Sequence, residues 1–142
     1  MKANLTYNVR WLIRRDMAEV MAIENQLLGG WSEKKITQAL RERNCIGVVA
    51  EASDGPIDGY MIYNLMPDHI AILRVAVNPR DQRCGIGRQL LQRVKDRLDR
   101  LKKPIMVVVV DERDLGSQLW LQRCGLLATQ MHSEKIMFEW HA

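Results

Sequence analysis

Aromatic side chains are scarce in this chain, with one Phe, three Tyr and four Trp. That scarcity weakens one reading of its basic pI near 9.1. Proteins that hold single-stranded nucleic acid stack bases on aromatic rings. Here the basic residues fall on one helical stretch with no aromatic platform, and the single Phe is Phe138. A nucleic-acid binder is therefore the third-ranked reading. Cysteine is also sparse: Cys45, Cys84 and Cys124 are odd in number and have no Cys-x-x-Cys spacing. Neither a disulfide framework nor a zinc site is indicated, and reduced cysteines suit the cytoplasm. No apolar signal core follows Met1-Lys2-Ala3-Asn4, and the longest apolar run, 105–110, is far too short to cross a bilayer. There are no repeats and no low-complexity segments. The expectation is a cytoplasmic protein that engages no membrane.

With 142 residues and 47% hydrophobic composition, the chain has enough apolar material for one core, and residues 1–142 are read as one domain. Strands are expected over 9–14, 46–50, 60–65, 70–77 and 105–110, with a closing hairpin from 126–131 and 136–140. Helices are expected after Asp16 as cap, after Ser32 as cap, over 87–101 and over 117–123. Ser53-Asp54-Gly55-Pro56 is a strong turn between antiparallel strands. The fully apolar run 105–110 reads as a central strand buried on both faces, parallel to 70–77 and joined to it by the helical crossover. This order gives a mixed sheet with helices on both faces.

The most informative stretch runs from Leu73 through Pro79 to Arg88. It reads as an apolar strand, a loop carrying Gly85 and Gly87, and the start of a long amphipathic helix. A strand entering a helix through a glycine-bearing loop aims free backbone N–H groups and the positive end of the helix dipole at one point, which suits a phosphate. From Arg80 to Lys103 there are nine Lys and Arg against three Asp, an excess larger than the whole chain's net charge of +4. Two other phosphate-binding loops do not fit. Position 90 is Leu, where the dinucleotide fingerprint needs a third glycine, and the Walker Gly-Lys-Ser/Thr is absent.

Gln82-Arg83-Cys84-Gly85-Ile86-Gly87, preceded by Ala76-Val77-Asn78-Pro79, resembles the Gln/Arg-x-x-Gly-x-Gly/Ala signature of the GCN5-related N-acetyltransferases (the GNAT superfamily), most closely the RimI-type protein N-terminal acetyltransferases. The order of elements resembles that fold from end to end: an α+β domain with a central mixed sheet of about seven strands and about four helices on both faces. The resemblance implies acetyl-CoA as co-substrate. Val75, Ala76 and Val77 would face the pantetheine arm and acetyl group, and Arg83, Cys84, Gly85, Ile86, Gly87 and Arg88 would cradle the pyrophosphate. Asp114 falls where an Asn usually contacts the cofactor. Trp31-Ser32 falls on the segment that admits the acceptor, although a helix cap with a packed Trp is an equal reading.

The catalytic pair implied by the resemblance is missing. Val109 stands at the general-base Glu position and Leu121 at the general-acid Tyr position. Asp111, two residues on and on the same strand face as Val109, is the substitute candidate, with Glu112, Tyr60, Tyr63, Glu24 and Cys124 more distant. A water relay, or loss of catalysis, would also account for the absences. The activity implied is transfer of acetyl to a primary amine by direct attack on the thioester, with a peptide N-terminal α-amine or a small amine as acceptor. The alternative is a catalytically degenerate acetyl-CoA-binding regulatory module. The short loop 131–135 lacks the tyrosines of the family's peptide-clamping loop, which counts against a peptide acceptor.

Overall fold

The computed structural model describes residues 7–81 and 85–142. In chain order the elements are β1 (Tyr7–Trp11), α1 (Met17–Glu24), α2 (Glu33–Arg41), β2 (Cys45–Ala52), β3 (Ile57–Leu65), β4 (His69–Val77), α3 (Ile86–Leu101), β5 (Ile105–Asp111), α4 (Leu115–Arg123), β6 (Leu127–His132) and β7 (Lys135–His141). All seven strands form one mixed sheet in the order β1-β2-β3-β4-β5-β7-β6. The β4–β5 pair is parallel and the others are antiparallel. This is the expected α+β architecture, with strand ends shifted by a few residues. Strands β2 and β3 run further toward each other than the sequence suggested, because the tight turn between them, closed by Gly55 N–H to the Ala52 carbonyl at 2.9 Å, leaves their flanks paired.

Each face of the sheet carries its own core. On one side α3 buries Ile86, Leu90, Leu91, Val94 and Leu98 against Val48, Met61, Tyr63, Ile70, Met106 and Phe138. Each such side chain contributes roughly 1.5–3 kcal/mol by leaving water. On the other side Val20, Ile23 and Ile36 of α1 and α2 cover Val49, Ile57, Tyr60, Ile62 and Ala76.

A β-bulge in β4 links the two cores. Ile62 pairs with Arg74 and Tyr63 with Ile72, so Leu73 is one residue too many for β3. An extra residue reverses which side chains face which core, since the strand repeat is two. Before the bulge Ile70 and Ile72 face α3; after it Val75 and Val77 do, and Ala76 turns to α1 and α2. β4 pairs with β5 only over His69–Ile72, opposite Ile105–Val108. Beyond that point β4 continues with β3, and β5 continues with β7. The two strands therefore diverge, leaving a wedge between Leu73–Val77 and Val109–Asp111. The expectation that β5 is buried on both faces is not met: Met106 and Val108, on the α3 side, are buried, but on the opposite face Ile105 and Val107 are only half-buried and Val109, past the end of the pairing with β4, is 50% exposed.

The two helix caps expected from the sequence turn out differently. Asp16 precedes α1 but makes no capping bond to it; its carboxylate accepts instead from Ile13 N–H and Arg10. Ser32 does cap α2, accepting from Lys35 N–H at 3.1 Å.

Candidate functional site

The wedge exposes one backbone edge of Val75, Ala76 and Val77 that no strand of the described residues pairs, while β3 holds the other edge. Unpaired strand N–H and C=O groups facing a gap can hydrogen-bond an extended amide-bearing chain as a missing strand would. The α3 N-terminus lies over the same end of β4: a Cβ on Gly59, which pairs with Val77, would come within 2.7 Å of Ile86 Cγ2. The first-turn N–H groups of a helix have no intrahelical acceptor. Gly85 takes φ +79° at the N-cap, a left-handed conformation that L side chains avoid, and a Cβ there would meet open space. An open, backbone-lined turn at a helix N-terminus fits a phosphate group.

Gly87 has a packing role as well. A Cβ at this position would lie 2.6 Å from Trp120 Cζ2, so its missing side chain lets α4 pack against α3. Gln82, Arg83 and Cys84, the rest of the motif, lie outside the described residues.

The basic residues of α3 are only partly available to a ligand. Arg88 Nη2 donates to the Arg123 carbonyl at 3.3 Å, Arg93 Nη1 to the Val9 carbonyl at 3.4 Å, and Lys95 Nζ to the Cys124 carbonyl at 3.4 Å. Lys103 Nζ donates to the Met66 and Pro67 carbonyls at 2.7 and 2.9 Å. Much of the positive stretch thus ties α3 to strand and helix ends, as cations near orphan carbonyls do.

On the opposite face, α1 and β4 bring together a buried cluster. The Glu24 carboxylate, 1% exposed, accepts from Arg74 Nε at 2.9 Å, Arg74 Nη2 at 2.6 Å, Trp31 N–H at 3.2 Å and the Tyr60 hydroxyl. Burial pushes the Glu24 carboxyl up, but the hydrogen bonds from Arg74 and Tyr60 outweigh it, and the group is held below its ordinary range. Burial, reinforced by the bond to Glu24, pushes the Tyr60 phenol well above its ordinary value. Neither group is poised to exchange a proton near neutrality. The Arg74 guanidinium also lies 5.8 Å from the centre of the Trp31 ring, and Lys35 Nζ lies 4.4 Å from it. Arg74 was not singled out from the sequence. Its signal was a lone charge inside the apolar run 70–77, because a charge in a covered strand requires a buried partner.

The remaining candidates are dispersed. Asp111 ends β5 with its carboxylate engaged by Arg113 Nε at 3.1 Å, Arg113 N–H at 2.8 Å and Lys135 Nζ at 3.4 Å. The Arg113 side chain, first among these, holds the carboxyl well below its usual range. Asp114 caps α4, accepting from Ser117 N–H at 3.1 Å and Ser117 Oγ at 2.6 Å. Leu121 is 1% exposed within the α3-side core, and Cys124, also buried, has its thiol pushed up by burial. Among the described residues no group of His, Cys, Asp and Glu could hold a metal ion, and no helix is long and apolar enough to cross a membrane.

A sheet that splits between its parallel strands, with a glycine turn and a helix N-terminus at the mouth of the split, defines a class of coenzyme-binding acyltransferase folds. The chain belongs to the acetyltransferase (GNAT) family, whose sequence model matches residues 8–126. Enzymes of this family use acetyl-CoA, which is accordingly the co-substrate. Similar solved structures include the ribosomal-protein-S18-alanine N-acetyltransferase of Escherichia coli, with TM-score 0.82 and 18% identity over 95% of this chain and 93% of that one. The PaiA N-acetyltransferase of Thermoplasma acidophilum, crystallised in complex with coenzyme A, has TM-score 0.77 and 15% identity over 97% and 100% of the two chains. The spermidine N-acetyltransferase SpeG of Vibrio cholerae, an N152L mutant, has TM-score 0.74 and 14% identity over 96% and 94%. At such identities these likenesses describe the fold. A search of curated proteins found no match.

Proposed function

We propose that this protein is an N-acetyltransferase in which a primary amine, entering from the α1–α2 face, attacks the thioester directly with no dedicated protein base. The observation that carries this reading is the wedge between β4 and β5, combined with the state of the two carboxylates considered for the proton. Glu24 and Asp111 are both held below their ordinary range by arginine partners, and a weaker base gives less general-base help. When bound, acetyl-CoA supplies an acetyl group already activated as a thioester. The free edge of Val75–Val77 would hold its arm and the turn at Gly85–Arg88 its phosphates, which fixes the geometry of attack. Positioning of this kind can supply roughly 7–11 kcal/mol of the barrier.

The missing base favours acceptors that are partly neutral already. An α-amine of pKa near 7.7–8.0 is about a tenth neutral at pH 7, against less than about a thousandth for a lysine near 10.4. This supports the RimI-type assignment and an α-amine acceptor; Trp31 packs on the α1–α2 side and Ser32 caps α2, on the face from which this reading brings the acceptor. Free Cys45 and Cys124 agree with a cytoplasmic location.

The test is thiol release from acetyl-CoA with a panel of N-terminal peptides, amino acids, polyamines and lysine peptides. The expected result is turnover that rises with pH toward the pKa of the acceptor amine, with Asp111→Asn within about threefold of wild type. A loss of about 10² or more in Asp111→Asn would make Asp111 the base instead. Tight CoA binding with no thiol release on any amine would favour the regulatory module, the reading suggested by Val109 and by Leu121, whose burial leaves no group there to serve as acid.

A further inference from the structure

We propose that Arg74 selects the acceptor: the amine substrate carries a carboxylate within a few bonds of its amine, and Arg74 binds that carboxylate while the amine enters the wedge. This rests on the acetyltransferase reading and names the class of acceptor. The geometry begins at Glu24. Its carboxylate receives four donors, two of them Arg74 Nε and Nη2, so the plane of the guanidinium is fixed. The third guanidinium nitrogen, Nη1, takes no part in the bonds to Glu24, and the Arg74 side chain, which also interacts with the Tyr60 hydroxyl, keeps 21% of its surface exposed. A preorganised, always-charged donor pointing away from its own ion pair is a ready partner for an anionic oxygen.

Its position suits an acceptor. Arg74 is the first residue beyond the Leu73 bulge, where β4 has just left β5, and it faces α1 and α2, away from the α3 terminus that suits phosphates. Ala76, at the wedge edge, is one strand repeat away, about 7 Å. The terminal amine and side-chain carboxylate of an acidic peptide N-terminus can span that distance, whereas the amine and carboxylate of a free amino acid sit on one carbon and are closer together. Glu24 and Arg74 cancel each other, and Lys35, on the same Trp31 ring, adds one more cation. A polyamine would meet repulsion here, whereas a carboxylate would be drawn in.

The experiment measures, by calorimetry on CoA-loaded protein, the affinity of matched pairs. These are phenylalanine against phenylalaninamide, and the C-terminally amidated peptides Ala-Asp-Ala against Ala-Asn-Ala, with spermidine as the cationic control. The acid of at least one pair should bind about tenfold or more tightly than its neutral partner. The responding pair identifies the source as a free amino acid or a peptide terminus. Replacing Arg74 alone would leave Glu24 buried without its countercharge, so the double variant Glu24→Gln, Arg74→Met is used, with its thermal melt as the check on folding. In that variant the ratio should fall to about one or two, while Arg74→Lys should retain part of it.

Equal affinity within each pair in wild type, tightest binding of spermidine, or a preference that survives in the double variant would each overturn the proposal. Thiol release from acetyl-CoA, measured separately with the same proteins and acceptors, reports on transfer. Its complete absence would remove the enzyme reading, while the affinity ratio would still decide for or against Arg74.

Discussion

Asp16 shows how a residue expected to cap a helix can act instead through a partner that sequence does not reveal. Its place before a helix marked it as a cap, yet Arg10 in β1 reaches it with Nη1 and Nη2 at 2.8 and 2.9 Å, and Ile13 N–H donates at 2.8 Å. The hydrogen bond from Arg10 holds its carboxyl below the ordinary value even though burial opposes this. In the unfolded chain Asp16 takes up its proton near pH 4, and in the folded protein only at lower pH. Between the two, the unfolded state binds more protons, so acid weakens the fold. The contribution is complete above about pH 5 and is lost as pH falls through 4 and below. Asp16→Asn should therefore cost about 1–3 kcal/mol at pH 7, with a gap to wild type that narrows at pH 3.5 in urea denaturation. A gap that stays constant with pH would mean that charge plays no part. Arg74 escaped the sequence reading, and Glu24 stood there only as a distant candidate, for the same reason: a buried pair fifty residues apart is visible only once α1 lies across β4.

Among the elements, periodicity and punctuation were legible and local irregularity was not. The helix α3 declared itself through Leu90, Leu91, Val94 and Leu98, and the turn at 53–56 through its Gly-Pro. The Leu73 bulge is one extra apolar residue in an apolar run, so only its pairing with β3 exposes it. The two glycines of the loop looked equivalent in sequence, but the structure separates them. Gly87→Ala would push a methyl into Trp120, where 2.6 Å is far inside contact distance, and overpacking of this kind costs about 1–3 kcal/mol. Gly85→Ala meets no atoms but must hold φ +79°, a strain of about 1–2 kcal/mol, and it projects into the space assigned to phosphate. Thermal melts and CoA calorimetry on both variants should therefore show opposite profiles. Gly87→Ala is expected to lose stability and largely keep affinity, and Gly85→Ala to lose affinity more than its stability loss explains. Weak CoA binding with an unchanged melt in Gly87→Ala would restore the phosphate-contact reading of that residue.

At the scale of the molecule, the sheet consists of two paired blocks, β1–β4 and β5–β7, joined by strand pairing only over His69–Ile72 against Ile105–Val108. A ligand lying between Leu73–Val77 and Val109–Asp111 would bridge the blocks and bind only the folded state, so it should stabilise the whole fold. At a concentration of 100 times Kd the gain is about 2.7 kcal/mol, which for a chain of this length raises Tm on the order of 10 °C. CoA and acetyl-CoA should behave alike, because the strand edge and the helix terminus touch parts common to both. Pantetheine, which lacks the pyrophosphate, should give a markedly smaller shift at the same concentration, since only the strand edge can hold it. Amide hydrogen exchange supplies the local check. The amides of Leu73–Val77 that face the wedge have no strand partner on that side among the described residues, and CoA should slow their exchange while leaving those of β6, at the far edge of the sheet, unchanged. If pantetheine matched CoA in the melt, the turn at Gly85 would not be a phosphate site, and the positive φ there would serve only to start α3.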